Sequence, residues 1–199
     1  MATSGTVAYR PNIEEVIAES FERCGIDPQT QTGQKATSAR RSLNLLFTEW
    51  SNRGYNYWTV QYNTITLTAG TANYSLTSGI VDVIDMVYRN NSNDQPMQRI
   101  SISEYNQLPE KTTSGKSSQF MLDRQYTPTI NADDTIRYYG VYQVEDITAS
   151  YQDTDVPYRW TDAMCAGLAA KLATKFAPER AEGLYVLYER AFKFASDEE

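Results

Sequence analysis

With 199 residues, 41% of them hydrophobic and 12% aromatic, the chain is long and apolar enough to bury a core, as one domain or one domain carrying an insertion. Its 18 Lys+Arg against 25 Asp+Glu give a formal charge of −7, which argues against a general nucleic-acid binder, whose affinity rests on basic side chains that neutralise phosphates. No apolar run approaches bilayer-spanning length, and MATSGTVAYR lacks a signal-peptide core, so the chain is expected to be made and used without secretion.

Residues 1–11 read as an irregular arm. Asn12 with Glu15 three places on predicts a capped helix start, each side chain satisfying the other's free N–H. The stripe of this helix is Ile13, Val16, Ile17, Phe21 and Cys24. Asp27-Pro28 and the polar stretch to Gly33 connect it to a second helix in the stretch from Ala36 to Tyr55, with a stripe of Ala39, Leu43, Leu46, Phe47 and Trp50 and with Gly54 following its last turn. Gly25 and Gly54 stand where a left-handed residue ends a helix at least cost, with Phe21/Ile26 and Trp50/Tyr55 spaced to touch across each stop. Matching stops and a short connection predict a helical hairpin.

From Tyr55 the period changes to two. Ile65 and Leu67 alternate with Thr64 and Thr66, and the pattern resumes at Tyr74 and Leu76 after Ala69-Gly70, as a hairpin would. Ile80–Tyr88 reads as a strand returning through Met97–Ile100 across the polar turn at 90–94. Ile102–Leu108 suits a single helical turn, Lys111–Ser118 a loop, and Gln119–Arg124 and Thr135–Val144 two further strands. Aromatics on both faces of the last strand predict a sheet with partners against each face. After a loop at 145–156, Trp160, Met164, Leu168, Leu172 and Phe176 trace a third helix. Pro178 opens a fourth, with Ala181, Leu184, Leu187, Tyr188, Ala191 and Phe194 read as inward and Asp197–Glu199 as a frayed end. The fold class expected is α+β: a four-helix core from N- and C-terminal hairpins at 12–55 and 157–195, with an inserted antiparallel β-rich region at 56–156.

The chemistry legible in the residues is sparse. Without histidine, no Ser-His or Cys-His nucleophile can be built within the chain. Cys24 and Cys165 are two lone thiols, too few for a structural zinc site, and read as small buried hydrophobes in a reducing compartment. GKSS at 115–118 resembles the tail of a phosphate-binding loop, but Glu110 stands where that loop needs its first glycine. Asp133-Asp134 and Asp153-Thr154-Asp155 offer oxygen ligands without the rest of a cation loop. Neither metal nor cofactor is expected. The fifteen tyrosines suit either a core or contact surfaces, where amphipathic rings are favoured.

The capped first helix, the ARRSLNLLFTEWSNRGYNYW helix and turn, the ITLTAGTANYSL segment, the INADDTIRYYGVY strand, VPYRW and the closing YERAFKFA together resemble a known family. They are similar to the head-to-tail adaptor proteins of short-tailed bacteriophages, of the tail tubular protein A or tail accessory factor type. The resemblance covers nearly the whole chain and implies one adaptor domain over 1–199. It implies a structural virion protein without catalytic residues, in a ring of twelve between the portal and the tail nozzle, extending the DNA channel. The partners implied are the portal protein, the nozzle protein, tail fibres and further copies of the chain. The location implied is the tail at the portal vertex, after synthesis in the host cytoplasm. Two other readings are a cell-wall-degrading tail enzyme using the aspartates above, and another tail ring component.

Within the adaptor reading, charge and ends supply candidate sites. Residues 130–156 hold Asp133, Asp134, Glu145, Asp146, Asp153 and Asp155 against a single Arg137, so these acids are the expected channel-facing residues, repelling phosphates that basic walls would grip. Phe194, Asp197, Glu198 and Glu199 are the expected docking arm at the C-terminal end, ordered only on contact with a partner.

Overall fold

A computed structural model describes residues 9–30, 32–54, 57–68, 74–107, 118–123, 135–149 and 151–197, with the single positions 5, 71 and 109. Its helices are α1 (Ile13–Arg23), α2 (Gly33–Arg53), α3 (Ile102–Gln107), α4 (Thr161–Phe176) and α5 (Ala181–Asp197). Its strands are β1 (Val60–Thr66), β2 (Ile80–Asn90), β3 (Asn93–Pro96), β4 (Gln98–Ile100), β5 (Gln119–Met121) and β6 (Thr135–Tyr142). The class is α+β. The chain divides into a helical unit, residues 1–58 with 144–199, and a strand-rich unit, residues 59–143.

In the helical unit the local signals behave as their chemistry requires. Asn12 Oδ1 accepts from the Glu15 N–H at 2.9 Å while Glu15 Oε2 accepts from the Asn12 N–H at 3.1 Å. Gly25 and Gly54 both have left-handed φ, 75° and 82°. At the first stop the Ile26 N–H bonds the Phe21 carbonyl at 3.0 Å and the Gly25 N–H that of Glu22 at 2.8 Å, the paired bonds of a Schellman ending. The stripes of α1 and α2 are buried as expected, from Ile13 through Cys24 and from Ala39 through Trp50.

Packing departs from the expected hairpin. α1 and α2 touch each other little, and each is seated mainly on α4, which also carries α5. The reason lies in the composition of α4. Ala163, Met164, Cys165, Ala166, Gly167, Leu168, Ala169, Ala170, Leu172 and Ala173 are all buried, so it is enclosed from several sides, and its small side chains let the neighbours close in. At Gly167 an added Cβ would lie 2.8 Å from Leu46 Cδ1 and 2.9 Å from Tyr188 Cε2. α4 is therefore the axis of the unit.

α5 is rotated from its expected setting. Leu184, Tyr188, Phe192 and Ala195 are buried, while Leu187 is 54% and Phe194 74% exposed. Phe192 takes the inward place because its ring meets Trp160 edge-on at 5.3 Å and Trp50 at 6.1 Å. Ala195 is buried and the helix continues to Asp197; of the end expected to fray, Glu198 and Glu199 lie outside the described residues. Val144, Ile147 and Val156 also bury in the helical core, so the inserted unit is narrower than 56–156.

In the strand-rich unit the main sheet has the order β1-β6-β2-β3, all antiparallel. β6 lies between β1 and β2; of its two faces, one buries Ile136 and Tyr138, while on the other, where a partner was also expected, Tyr139 is 48% exposed. The pairing of β1 is a correction. Its partner is β6, Val60 opposite Val141 and Thr66 opposite Thr135, rather than the segment at Tyr74, whose hydroxyl instead bonds the backbone of Thr68. The return of β2 is a second correction. Asn91 and Ser92 both have positive φ, 51° and 95°, making a two-residue turn that sets Asn90 against Asn93. β3 is therefore the return strand, and β4 pairs in parallel with β5. The expected five-residue turn left out this tight form. Pro96 ends the outermost strand, where its missing N–H breaks no inner ladder. Leu67, Val83, Met86, Tyr88, Met97, Phe120, Ile136 and Tyr138 form a separate small core. The loop expected over Lys111–Ser118 lies outside the described residues except for Ser118.

Candidate interaction surfaces

Four of the six acids expected to share a role do come together. Glu145, Asp146, Asp153 and Asp155 line a shallow pocket of about 280 Å³ with Phe47, Ile147 and Tyr151. Asp133 and Asp134 lie outside the described residues. The acidic loop is held firmly. The Asn44 amide clasps the Ile147 backbone from both sides, Oδ1 accepting from its N–H at 3.0 Å and Nδ2 donating to its carbonyl at 3.3 Å. Arg40 donates to the Thr148 carbonyl at 2.9 Å. Gln152 Oε1 accepts from the N–H groups of Thr148 and Ala149 at 3.0 and 2.9 Å, while its carbonyl accepts from the Ile13 N–H at 3.0 Å. Backbone anchored to α1 and α2 thus presents Tyr151 at 83% exposure with acids on either side. Burial, with the Glu145 charge alongside, pushes the Asp155 carboxyl above its ordinary range, although backbone N–H groups partly oppose this. The loop gathers like charge that no ion pair among the described residues offsets.

A second surface runs along the outer side of α5. A groove of about 640 Å³ is lined by Arg53, Tyr185, Val186, Glu189, Arg190 and Lys193, with Asp197 at its end. Among the expected docking residues, Phe194 is exposed nearby on the same helix, Asp197 borders this groove, and Glu198 and Glu199 lie outside the described residues. Sequence reading missed the groove because it turned Phe194 inward. The signal that could have found it is Arg190 and Lys193, three apart, a spacing that marks one solvated helix face.

Beneath the groove lies a network that joins α2, α4 and α5. Glu49 accepts from Lys171 Nζ at 2.7 Å, from Arg53 at 2.7 Å and from the Tyr188 hydroxyl at 3.0 Å, while Tyr188 accepts from the Trp50 indole N–H at 3.0 Å. Arg53 also forks onto Glu189 at 2.7 and 3.2 Å and lies 4.5 Å from the Phe192 ring centre. Burial alone would raise the Glu49 pKa, but hydrogen bonds from Lys171 and Tyr188 outweigh it and hold the carboxyl below its ordinary range. Burial raises the Tyr188 hydroxyl. Every charge here has a partner, so the cluster reads as a clamp.

Cys24 donates to the Ala169 carbonyl at 3.3 Å, and burial pushes the Cys165 thiol up to about 11. Both are poor nucleophiles. Among the described residues no group of three His, Cys, Asp or Glu side chains is placed to hold a metal ion, and no helix is long and apolar enough to cross a membrane. The tyrosines divide between roles: Tyr88, Tyr138 and Tyr188 are core, while Tyr62, Tyr139, Tyr151, Tyr158 and Tyr185 are exposed.

What this surface offers is contact: a rigid acidic loop, an amphipathic helix face and exposed aromatic rings, the equipment of a structural assembly protein. Residues 13–199 match the SU10 adaptor protein family, and the chain belongs to that family as a phage adaptor protein. A comparison with curated proteins returned no match.

Proposed function

We propose that the chain is a structural, non-enzymatic virion protein that closes into a ring, of twelve copies in the resemblance, between the portal and the tail nozzle and surrounds the passage for DNA. Membership of an adaptor family across 13–199 carries the reading. The division of surfaces supports it. The strong apolar stripes are consumed inside the helical unit, and what remains outside is tyrosine, short apolar patches and charge. Obligate interfaces resemble a core cut in half, and these do not. Such contacts become strong when many form at once on a symmetric template. The chain is then a monomer or weak oligomer in dilute solution and a ring on the portal.

Imaging of the purified protein mixed with its portal tests this. The expected result is a ring seated on the portal, with monomer in light scattering of the protein alone. Failure to bind the portal overturns the placement, and a stable ring formed without it overturns the templating. A net charge of −7 further leads us to expect no duplex DNA binding at physiological salt in a gel-shift titration.

A further inference from the structure

The groove along α5 carries its own indication of what covers it. Its wall presents the exposed side chains of Tyr185 and Val186, and on its rim Arg190 and Lys193 make no ion pair among the described residues. The same helical unit presents the opposite surface. Asp146 and Asp153 are likewise without a partner among the described residues, and Tyr151 projects between them. In one molecule the loop is pinned to α1 and α2 while α5 is seated on α4, so these are separate patches of one chain. Two complementary but different patches make a heterologous contact, which repeats from copy to copy and closes into a ring when the rotation permits.

We propose that the α5 groove receives the acidic loop of a second copy, with Tyr151 against Tyr185 and Val186 and with Asp146 and Asp153 meeting Arg190 and Lys193. This rests on the adaptor reading and deepens it by naming the surface that joins neighbours. It also assigns the four clustered acids to the contact between copies in place of the channel wall that charge alone suggested. Exposed ion pairs each contribute little, so a single contact is weak and salt-sensitive, as a ring that waits for its template requires.

Charge reversal tests the pairing. A groove variant, Arg190→Glu with Lys193→Glu, and a loop variant, Asp146→Lys with Asp153→Lys, are compared by sedimentation velocity over rising concentration at low ionic strength. Each variant alone is expected to self-associate about tenfold or more weakly than the original chain, and an equimolar mixture is expected to recover association, since each then meets an opposite partner. Melting temperatures matching the original chain establish that both fold; if a reversal lowers them, Arg190→Gln and Asp146→Asn replace it. Cross-linking gives the second measurement. A Tyr151→Cys, Arg190→Cys chain treated with a short bis-maleimide should give a ladder beyond dimers, while either single variant gives none; buried Cys24 and Cys165 supply no background. If the original chain stays monomeric at every concentration, the cross-link is read on portal-bound protein. Failure of the mixture to recover, cross-linking by Arg190→Cys alone, or no ladder on the portal overturns the proposal. Portal binding that survives any of these leaves the adaptor reading intact.

Discussion

The helical and strand-rich units are stabilised in different ways. In the helical unit Trp50, Trp160, Phe192 and Tyr188 meet ring to ring around an axis helix of small residues, with the Glu49–Lys171–Arg53 clamp beside them. In the strand-rich unit eight buried side chains among the described residues form the core, and much of the order comes from the ladder and from local devices. Asp82 and Asp85, for example, each accept from the next residue's N–H at 2.8 Å beside the irregular register of β2. One unit is organised by shape in its interior, the other by backbone pairing. Substitutions should therefore cost most where rings interlock and least where a turn is tuned.

Trp50→Ala is expected to have the largest effect, a loss of about 3–5 kcal/mol, because the ring is fully buried against Trp160 and its removal also leaves the Tyr188 hydroxyl without a donor. Denaturant unfolding followed by tryptophan-independent probes of each unit checks this. Equal loss in both units would show that they unfold as one. Next come the helix stops. Gly25→Val and Gly54→Val force a β-branched residue to positive φ, costing on the order of 1–2 kcal/mol. Gly25 should cost slightly more, since the end of the exposed Arg180 side chain must swing aside to admit a Cβ while Gly54 is open. Thermal melts that rank them the other way break that reading.

A smaller, pH-dependent loss should be confined to the helical unit. The Glu49 carboxyl is held low in the folded state, so its contribution is present above the ordinary carboxylate pKa, near about 4.3, and is lost as pH falls through the depressed value. Melts from neutral pH into the acid range should show the decline, and Glu49→Gln should flatten it. The smallest effect is a gain. Ser92 has φ 95°, so Ser92→Gly should stabilise the β2–β3 turn by roughly 1 kcal/mol, visible as slower amide exchange at Tyr88 and Asn90, whose side of the strand faces β3.

How far each unit could be read in advance follows from the same contrast. The cap at Asn12, the stops at Gly25 and Gly54 and the stripes of α1 and α2 are local, set by residues three or four apart, and each was legible. The choice of partner was not. Nothing in either stripe says that α4, more than a hundred residues later, is what both cover, although its run of alanines around Gly167 is a helix fit for enclosure. β1 was assigned its sequence neighbour because alternation fixes a strand's faces and not its mate, which stands at β6. The Asn91-Ser92 turn lacked the glycine that usually announces this form. In α5, Phe192 and Phe194 competed for one inward place, and only the rings of Trp50 and Trp160 decide between them. The acids at 145–155 were visible as charge, but their gathering into one anchored loop depends on Asn44 and Gln152, ordinary polar residues in sequence.

The central place of α4 has a consequence for the order of events during synthesis. α1 and α2 leave the ribosome first, yet the helix that covers their stripes follows only after the entire strand-rich unit. At about 5–20 residues per second that interval is roughly 5–20 s. Two amphipathic helices must wait through it with their apolar faces uncovered, while residues 59–143 are already complete and free to pair. The inserted unit thus has the opportunity to fold before the unit that carries it, and the nascent chain is most exposed to aggregation just before α4 arrives.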